Sequence, residues 1–185
     1  DNVGPWENVS DPMFGGGSTV SEWNIINRMS MAFLFTLTQP GVPLIYYGDE
    51  IGLAGGRDPD NRRMMPLDAQ LTANHQELLR RVQTIGQARA SLDPLRRGVR
   101  RTLYRNNDFY VYGLASAPGE AAIVAMNKGS NATAEFDVPS EWALSGSLVD
   151  ALGGTRTATI SGTHVSLPLN NWEYVILAPP SLTGR

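Results

Sequence analysis

Eight short β-rich runs fill the second half of the chain, and they constrain its fold more than any other feature. They begin after Leu95 and are separated by turn-forming residues such as Asn106-Asn107-Asp108, Lys128-Gly129-Ser130 and Gly153-Gly154. The runs cover residues 99–104, 109–114, 121–125, 134–138, 147–150, 157–160, 164–167 and 172–177. Because no helical pattern separates them, they predict an antiparallel β-sandwich or barrel.

The first half has a different pattern, in which helix and strand alternate. Spaced apolar residues after position 18 predict a helix that Pro40-Gly41 ends. Val42–Tyr47 is a short continuous apolar run, typical of a strand buried on both faces. Ala73–Ser91 carries an apolar stripe at helical spacing, and Thr72 is its predicted N-cap. Helix, buried strand and helix together are one piece of an alternating α/β architecture.

This α/β piece is too small to close a core on its own. A complete eightfold barrel needs about 250 residues, whereas the β-rich half already begins near residue 96. We therefore expect residues 1–95 to be the last part of a larger (β/α)8 barrel and residues 96–185 to be an antiparallel β-sandwich domain. The missing N-terminal barrel segment, or a second copy of the chain, is the expected partner of Val42–Tyr47.

Composition excludes several classes of partner. The 185 residues carry a net charge of -3, which gives no overall attraction to nucleic acid or to an anionic membrane. No segment reaches the roughly 20 apolar residues needed to cross a bilayer. The chain contains 0 cysteines, which excludes disulfides and thiolate metal sites.

The stretch from Phe33 to Arg63 resembles a known family. PGVPLIYYGDE is followed, after a short spacer, by GGRDPDNRR. This order is similar to the end of the catalytic barrel in the α-amylase family of glycoside hydrolases, where a PGxPxIYYGxE strand precedes a GGxDPxxR loop. The resemblance continues through LLRRVQTIGQARASLDPLRRG into the β-rich half, and it is greatest to bacterial α-amylases and neopullulanase-type enzymes.

The resemblance implies that the intact protein hydrolyses α-1,4-linked glucans, such as starch and maltodextrins, with retention. Retaining glycosidases use two carboxyl groups about 5–5.5 Å apart. In the family these groups follow strands four and five, and an Asn-His-Asp motif follows strand seven. None of these segments is present, since His75 and His164 are the two histidines and neither lies in such a motif. We therefore expect no catalytic residue in this chain, which alone should be inactive.

Asp58 and Arg62 are the candidate substrate-binding residues. They match the aspartate and arginine of the family's DPxxR loop, and the resemblance implies that they hydrogen-bond a glucose next to the cleaved one. A carboxylate accepts hydroxyl protons and a guanidinium donates in a fixed fork, so both suit a sugar. Their i, i+4 spacing also permits a mutual ion pair that ties the loop, and both roles can coexist.

Other polar and aromatic residues nearby have weaker claims. Asp49 and Glu50 are adjacent, so their side chains should point to opposite sides and cannot act as an opposed pair; Glu50 is expected to accept hydrogen bonds beneath the site. Tyr46 and Tyr47 should alternate likewise, and core packing is the preferred interpretation for them. Trp23 is expected to be buried in the first helix. The two histidines have no partner at metal-ligand spacing, which leaves surface or capping roles.

A second function remains open. The β-rich half resembles folds that bind starch, so the chain could be a non-catalytic carbohydrate-binding or interaction module on an amylase-like scaffold. Against this, Trp142 and Trp172 lie thirty residues apart and form no evident stacking pair. No cofactor is expected from this chain, calcium in the intact enzyme is left open, and the resemblance favours an extracellular or periplasmic location.

Overall fold

The computed structural model describes residues 22–55 and 58–184. The chain divides into two compact units, one comprising residues up to Leu34 together with Leu44–Gln83, the other comprising Phe35–Pro43 and Thr84–Arg185. We call them the helical unit and the β unit. The division falls inside two helices, and the domain boundary after residue 95 stays a prediction.

Two long helices dominate the described residues before position 92. Helix α1 spans Glu22–Thr38 and helix α2 spans Ala73–Ser91, so the predicted bounds of the second helix are confirmed. Thr72 caps α2 as predicted: the His75 N–H donates to Thr72 Oγ1 over 3.4 Å, and the Thr72 N–H donates to His75 Nδ1 over 3.2 Å. His75 is buried and fills the role that Glu or Gln takes in a capping box.

Arg81 of α2 joins the two helices within the helical unit. Its Nη1 donates to Asn27 Oδ1 over 2.8 Å, and its Nε donates to Glu77 Oε1 over 2.8 Å. The guanidinium also lies 4.8 Å from the ring centroid of Trp23. Trp23 is 54% exposed, so the prediction that it is buried is wrong. Its indole serves as a surface platform for a cation instead.

Val42–Tyr47 is not a strand in this structure. The predicted run has no hydrogen-bonded partner strand among the described residues, and Val42 and Leu44 are 97% and 87% exposed. The run is exposed here in the absence of the partner strands that we expect from another segment or a second copy, and its burial stays a prediction. A strand needs neighbours to satisfy its N–H and C=O groups. All the strands described in this chain belong to one sheet, and that sheet does not include Val42–Tyr47.

The β unit contains eight antiparallel strands, which confirms the predicted all-β domain. They are β1 (Val99–Arg105), β2 (Phe109–Ala117), β3 (Glu120–Asn127), β4 (Ala132–Asp137), β5 (Gly146–Asp150), β6 (Thr157–Ser161), β7 (His164–Leu169) and β8 (Glu173–Ala178). Each predicted run coincides with one strand. Two short helices flank the sheet, α3 (Asp93–Arg97) and α4 (Pro180–Thr183).

The strands form one sheet in the order β1-β2-β3-β8-β5-β6-β7-β4. Consecutive strands pair from β1 to β3 and from β5 to β7, whereas β8 inserts between β3 and β5. The edge strands β1 and β4 approach each other, so the sheet curls towards a closed barrel. Such closure leaves fewer exposed edges for unwanted pairing.

The apolar core of the β unit lies inside this curled sheet. It includes Phe109, Val111, Ile123, Phe136, Trp142, Leu148, Ile160, Val165, Leu167, Val175 and Leu177. Gly113 of β2 is required by this packing, because a Cβ there would lie 2.5 Å from the Trp142 indole. Alternating burial along β4, β6 and β7 shows which side chains face the core.

Arg89 ties the segments that precede the sheet. Its Nη1 lies 2.7 Å from the Leu37 carbonyl and 2.8 Å from the Leu95 carbonyl, and its Nη2 donates to the Gly41 carbonyl over 2.6 Å. The Gln39 carbonyl is 3.1 Å from the same Nη1, which has two N–H groups and so must share one. The guanidinium thus satisfies carbonyls at the end of α1 that have no intrahelical partner.

A buried tyrosine also contacts the end of α1. Tyr112 of β2 has 0% exposure and hydrogen-bonds the Thr38 hydroxyl. The Arg100 guanidinium lies 4.4 Å from its ring centroid. Burial raises the pKa of Tyr112 to about 12, so the phenol stays protonated at ordinary pH.

Among the helices of the described residues, none is both long and apolar enough to span a membrane.

Candidate functional site

The polar loop that follows Val42–Tyr47 begins with a tight turn. Asp49–Ile51 is a single 3-10 turn preceded by Gly48, whose φ of 88° lies in the left-handed region. A Cβ at Gly48 would meet Leu53 Cδ2 at 2.7 Å, so glycine is needed here for both conformation and space. Residues 56 and 57, including the second glycine of the GGxDPxxR pattern, lie outside the described residues.

The two predicted substrate-binding residues come together in this loop. Asp58 Oδ1 lies 2.9 Å from Arg62 Nε, across a second 3-10 turn at Asp60–Arg62. Their side chains are 62% and 70% exposed, respectively. The mutual ion pair that the spacing permits is therefore formed, and it leaves the remaining carboxylate oxygen and guanidinium donors facing solvent. Such a pair contributes at most about 1 kcal/mol to stability.

The tyrosines before the loop contact its backbone. Tyr47 OH donates to the Arg63 carbonyl over 3.0 Å, and Tyr46 OH lies 3.5 Å from the Asn61 carbonyl. Their ring centroids are 4.7 Å apart. The predictions that they point to opposite sides and pack in a core are wrong, because both are over 40% exposed (48% and 43%) and the backbone turns directly after them. No sequence signal revealed these contacts over 15 or 16 residues.

Asp49 and Glu50 do not form a catalytic pair. Asp49 is exposed, whereas Glu50 is partly buried at the start of the turn. The expectation that Glu50 accepts hydrogen bonds fails for one oxygen: its Oε2 is buried and has no hydrogen-bond partner within residues 22–55 and 58–184. A buried carboxylate oxygen without a donor is costly.

A polar cleft in the β unit is lined by charged side chains that already have hydrogen-bond partners. It is lined by Asp150, Gly154, Thr155, Arg156, Thr157 and Glu173. The Asp150 carboxylate accepts the Leu152 and Gly154 N–H groups over 2.9 and 3.1 Å. Arg156 donates to both oxygens of Glu173, at 2.7 and 2.8 Å. These bonds satisfy the Asp150 carboxylate and pair Arg156 with Glu173.

His164 lies between two carboxylates on the outer surface of β4 and β7. Its Nε2 is 2.9 Å from Glu135 Oε2, and its Nδ1 is 3.7 Å from Asp137 Oδ1. The Ser166 hydroxyl donates to Glu135 Oε1 over 2.7 Å, and this hydrogen bond is the main cause of a lowered pKa of Glu135. Within the described part of the chain, no group of three or more His, Asp or Glu side chains is placed to hold a metal ion.

The fold and the loop can be compared with those of known proteins. No family model matches the chain. The amylopullulanase of Thermoanaerobacter thermohydrosulfuricus is 32% identical over 162 residues, which cover 82% of this chain and 11% of that protein. The cyclomaltodextrinase of Geobacillus thermopakistaniensis (strain MAS1) is 35% identical over 148 residues, 77% of this chain and 24% of that protein.

A solved structure shows the same relationship in three dimensions. The α-amylase of Geobacillus thermoleovorans, crystallised with acarbose, superimposes with a TM-score of 0.68 at 27% identity, covering 82% of this chain and 33% of that chain. The chain therefore matches a C-terminal segment of the α-amylase family of glycoside hydrolases. It spans between about a tenth and a quarter of the length of the two curated relatives.

Proposed function

We propose that this chain is the C-terminal portion of a retaining glycoside hydrolase that acts on α-1,4-linked glucans. Its role there is to supply a substrate-binding loop, with Asp58 and Arg62 contacting the sugar. The catalytic carboxylates lie in other segments of the enzyme, so the chain alone does not cleave glycosidic bonds. The bound ligand is an α-glucan oligosaccharide or polysaccharide.

One observation supports this proposal most. The Asp58–Arg62 ion pair is formed and faces solvent, in a chain that is similar to an amylopullulanase and a cyclomaltodextrinase. At 2.9 Å the pair holds both side chains in one arrangement, while their exposures of 62% and 70% leave donors and acceptors accessible. Preorganised polar groups lose less conformational entropy when a ligand binds. A sugar bearing adjacent hydroxyls can donate to the carboxylate and accept from the guanidinium at once.

The exposed run Val42–Tyr47 suggests that the chain also has a protein partner. We propose that it pairs with strands of the N-terminal barrel segment, or with a second copy of the chain if that segment is absent. The run is apolar, it lacks a partner strand among the described residues, and its first residue is 97% exposed. Pairing with strands on both sides would satisfy the backbone groups of the run and bury exposed side chains such as those of Val42 and Leu44.

A binding experiment tests the loop directly. We expect maltotriose, titrated into the 15N-labelled chain, to shift the backbone amides of residues 58 and 60–63 most. Asp58→Asn and Arg62→Met should each raise the dissociation constant about three- to tenfold, since each removes one set of charge-assisted hydrogen bonds. Arg97→Met, which removes an exposed guanidinium of the β unit, is the control and should bind as the wild type does. Equal binding by all four proteins would refute the assignment of Asp58 and Arg62.

A complementation experiment tests the enzyme class. The chain is combined with the part of the cyclomaltodextrinase that precedes the matched 24%, either as a mixture or as a fusion. We expect release of reducing sugar from starch by the combination and none by the chain alone. Circular dichroism and gel filtration verify that the two parts assemble. An assembled but inactive combination would contradict the proposed function.

The alternative of a free-standing starch-binding module has less support. Trp142 is 5% exposed and packs in the core of the β unit, so it cannot present a stacking face. Retention of residues 84–184 on a starch column would favour the module. We expect this segment to pass through, while the complete chain is retarded in proportion to its binding of maltotriose.

A further inference from the structure

Two tyrosine hydroxyls contact the backbone on either side of Arg62. Tyr47 OH donates to the carbonyl of residue 63 at 3.0 Å, and Tyr46 OH lies 3.5 Å from the carbonyl of residue 61. The backbone N–H of Arg62 donates to the Pro59 carbonyl over 2.9 Å. The peptide units around the arginine are therefore held from three directions, and its guanidinium is held by Asp58 at 2.9 Å.

The rings of the two tyrosines stiffen this arrangement. Their centroids are 4.7 Å apart with an interplanar angle of 43°. A tyrosine side chain has two rotatable bonds, χ1 and χ2, so its hydroxyl fixes a carbonyl at a lower entropic cost than a longer side chain would. Both rings are close to half exposed, at 48% and 43%, which is unusual for residues with a purely packing role.

The protonation state suits a hydrogen-bond donor. Partial desolvation and the neighbouring Tyr46 raise the pKa of Tyr47, while Arg62 opposes this shift. The hydroxyl is therefore protonated at neutral pH and available as a donor to the carbonyl of residue 63.

We propose that Tyr47 is a positioning residue for the sugar-binding loop, with Tyr46 in a lesser role, acting through the backbone on either side of Arg62. This inference rests on the proposed function of that loop. Tyr47 does not touch the sugar: it fixes the turn from which the Arg62 guanidinium reaches its ligand. Loss of its hydroxyl lets residues 61–63 move and spreads the guanidinium over several arrangements.

The test compares three tyrosine-to-phenylalanine variants of the complete chain, with maltotriose as the probe. Tyr47→Phe is expected to weaken the dissociation constant about three- to tenfold, the value of one neutral hydrogen bond. Tyr46→Phe is expected to weaken it less than about threefold, because its 3.5 Å contact is at the limit of a hydrogen bond. Tyr104→Phe is the control: its hydroxyl accepts from Asn106 over 3.1 Å in the β unit.

A second measurement does not depend on sugar. The Nε–Hε resonance of Arg62 reports its ion pair with Asp58 and is observed by NMR in the free chain. In Tyr47→Phe we expect it to broaden or shift, together with the backbone amides of residues 61–63, whereas Tyr104→Phe leaves it unchanged. Thermal melting of all three variants should agree within about 2 °C, which separates positioning from a loss of fold.

Each outcome has a defined meaning. If the wild type binds maltotriose and Tyr47→Phe binds equally well, the positioning role is overturned while the proposed function stands. If the wild type does not bind, the proposed function fails for the chain alone, and the Arg62 resonance decides: a change in Tyr47→Phe supports the positioning role, and no change overturns it. Weaker binding with an unchanged melting temperature and a changed Arg62 resonance supports both.

Discussion

The β unit and the helical unit solve the same hydrogen-bonding problem with unequal success. In the β unit eight strands pair side by side, and the two edges approach each other. The run that reads most like a strand, Val42–Tyr47, lies mostly in the helical unit and has no partner strand among the described residues, and its Leu44 is 87% exposed. Met64 and Leu67 of the same unit are also exposed, at 70% and 71%. The β unit pairs its strands internally, whereas the helical unit exposes apolar side chains.

The difference lies in how far apart the required partners are in the sequence. Four of the seven strand pairs in the β unit join consecutive strands, such as β1 with β2 and β5 with β6. Pairing of Val42–Tyr47 instead needs strands that these described residues do not provide. An apolar run therefore announces burial without saying which surface will bury it.

The largest effect should come from removing core volume in the β unit. Leu167→Ala is expected to destabilise by about 2–5 kcal/mol, because Leu167 is 0% exposed inside the curled sheet and its truncation leaves a cavity. Leu44→Ala, at 87% exposure, is the matched leucine of the helical unit and should stay within about 0.5 kcal/mol. Urea unfolding of both variants measures the contrast. Similar losses would show that Leu44 is buried in solution, for example by a second copy.

Next in size is the loss of the Arg89 guanidinium. Arg89→Met keeps much of the apolar stem but leaves the carbonyls of Leu37, Leu95 and Gly41 without their donor. We expect a cost of about 1.5–3 kcal/mol, the range for hydrogen bonds to a charged group. Arg96→Met, which breaks one exposed ion pair with Asp93, should cost less than about 1 kcal/mol. Hydrogen exchange at the end of α1 would locate the change, and protection equal to wild type there would contradict it.

The pH dependence of Glu77 gives a smaller, signed effect. A hydrogen bond from Arg80, followed by those from Arg81, lowers the pKa of Glu77 to about 2. A depressed carboxyl pKa stabilises the fold above its unfolded value, near 4.3, and the benefit is lost as pH falls towards 2. Glu77→Gln should therefore cost on the order of 2 kcal/mol at pH 7 and almost nothing at pH 2.

Urea unfolding of wild type and Glu77→Gln at both pH values measures this difference, since other carboxylates cancel in the comparison. Glu120→Gln changes an exposed carboxylate of β3 and is the control, with an expected effect below about 0.5 kcal/mol at either pH. A Glu77→Gln cost that is the same at pH 2 and pH 7 would show that packing, and not charge, accounts for the effect.

The smallest expected effect is confined to the surface of β4 and β7. Ser166→Ala removes the hydroxyl that donates to Glu135 over 2.7 Å, so the pKa of Glu135 should rise towards its ordinary value. Carboxyl 13C NMR across a pH titration measures the change, while the melting temperature should not move. If the pKa of Glu135 stays the same, His164 and not Ser166 is the dominant partner.

Most of the fold was predictable because its signals are local. Turn residues such as Gly153-Gly154 separate the strands, and alternation within each strand identifies its buried face, so eight runs gave eight strands. The bounds of α2 followed from its apolar stripe and from Thr72 at its start. The order of strands in the sheet, with β8 between β3 and β5, was not predictable, because it depends on contacts between distant segments.

The residues of the candidate site were predictable, but the contacts that hold its loop were not. Asp58 and Arg62 could be named because their spacing and a family pattern coincide, and their ion pair follows from i, i+4 geometry. The tyrosine contacts could not be foreseen: alternation assumes an extended backbone, and Gly48 turns the chain directly after Tyr47. The predicted burial of Trp23 could not be corrected from the sequence either, because the Arg81 guanidinium of α2 stabilises its exposed indole. Whether the two charged residues bind sugar stays a prediction.

The four carbonyls gathered by Arg89 have a consequence for conformational entropy. Gly41 is held at 2.6 Å by the guanidinium, and Val42 is the next residue. The exposed run therefore starts from a fixed point and does not trail from a loose tether. Ordering a residue costs about 1–2 kcal/mol, so the pairing proposed for Val42–Tyr47 would begin beside a residue that has already lost much of that freedom. Arg89 would thus lower the entropic cost of that pairing without taking part in it.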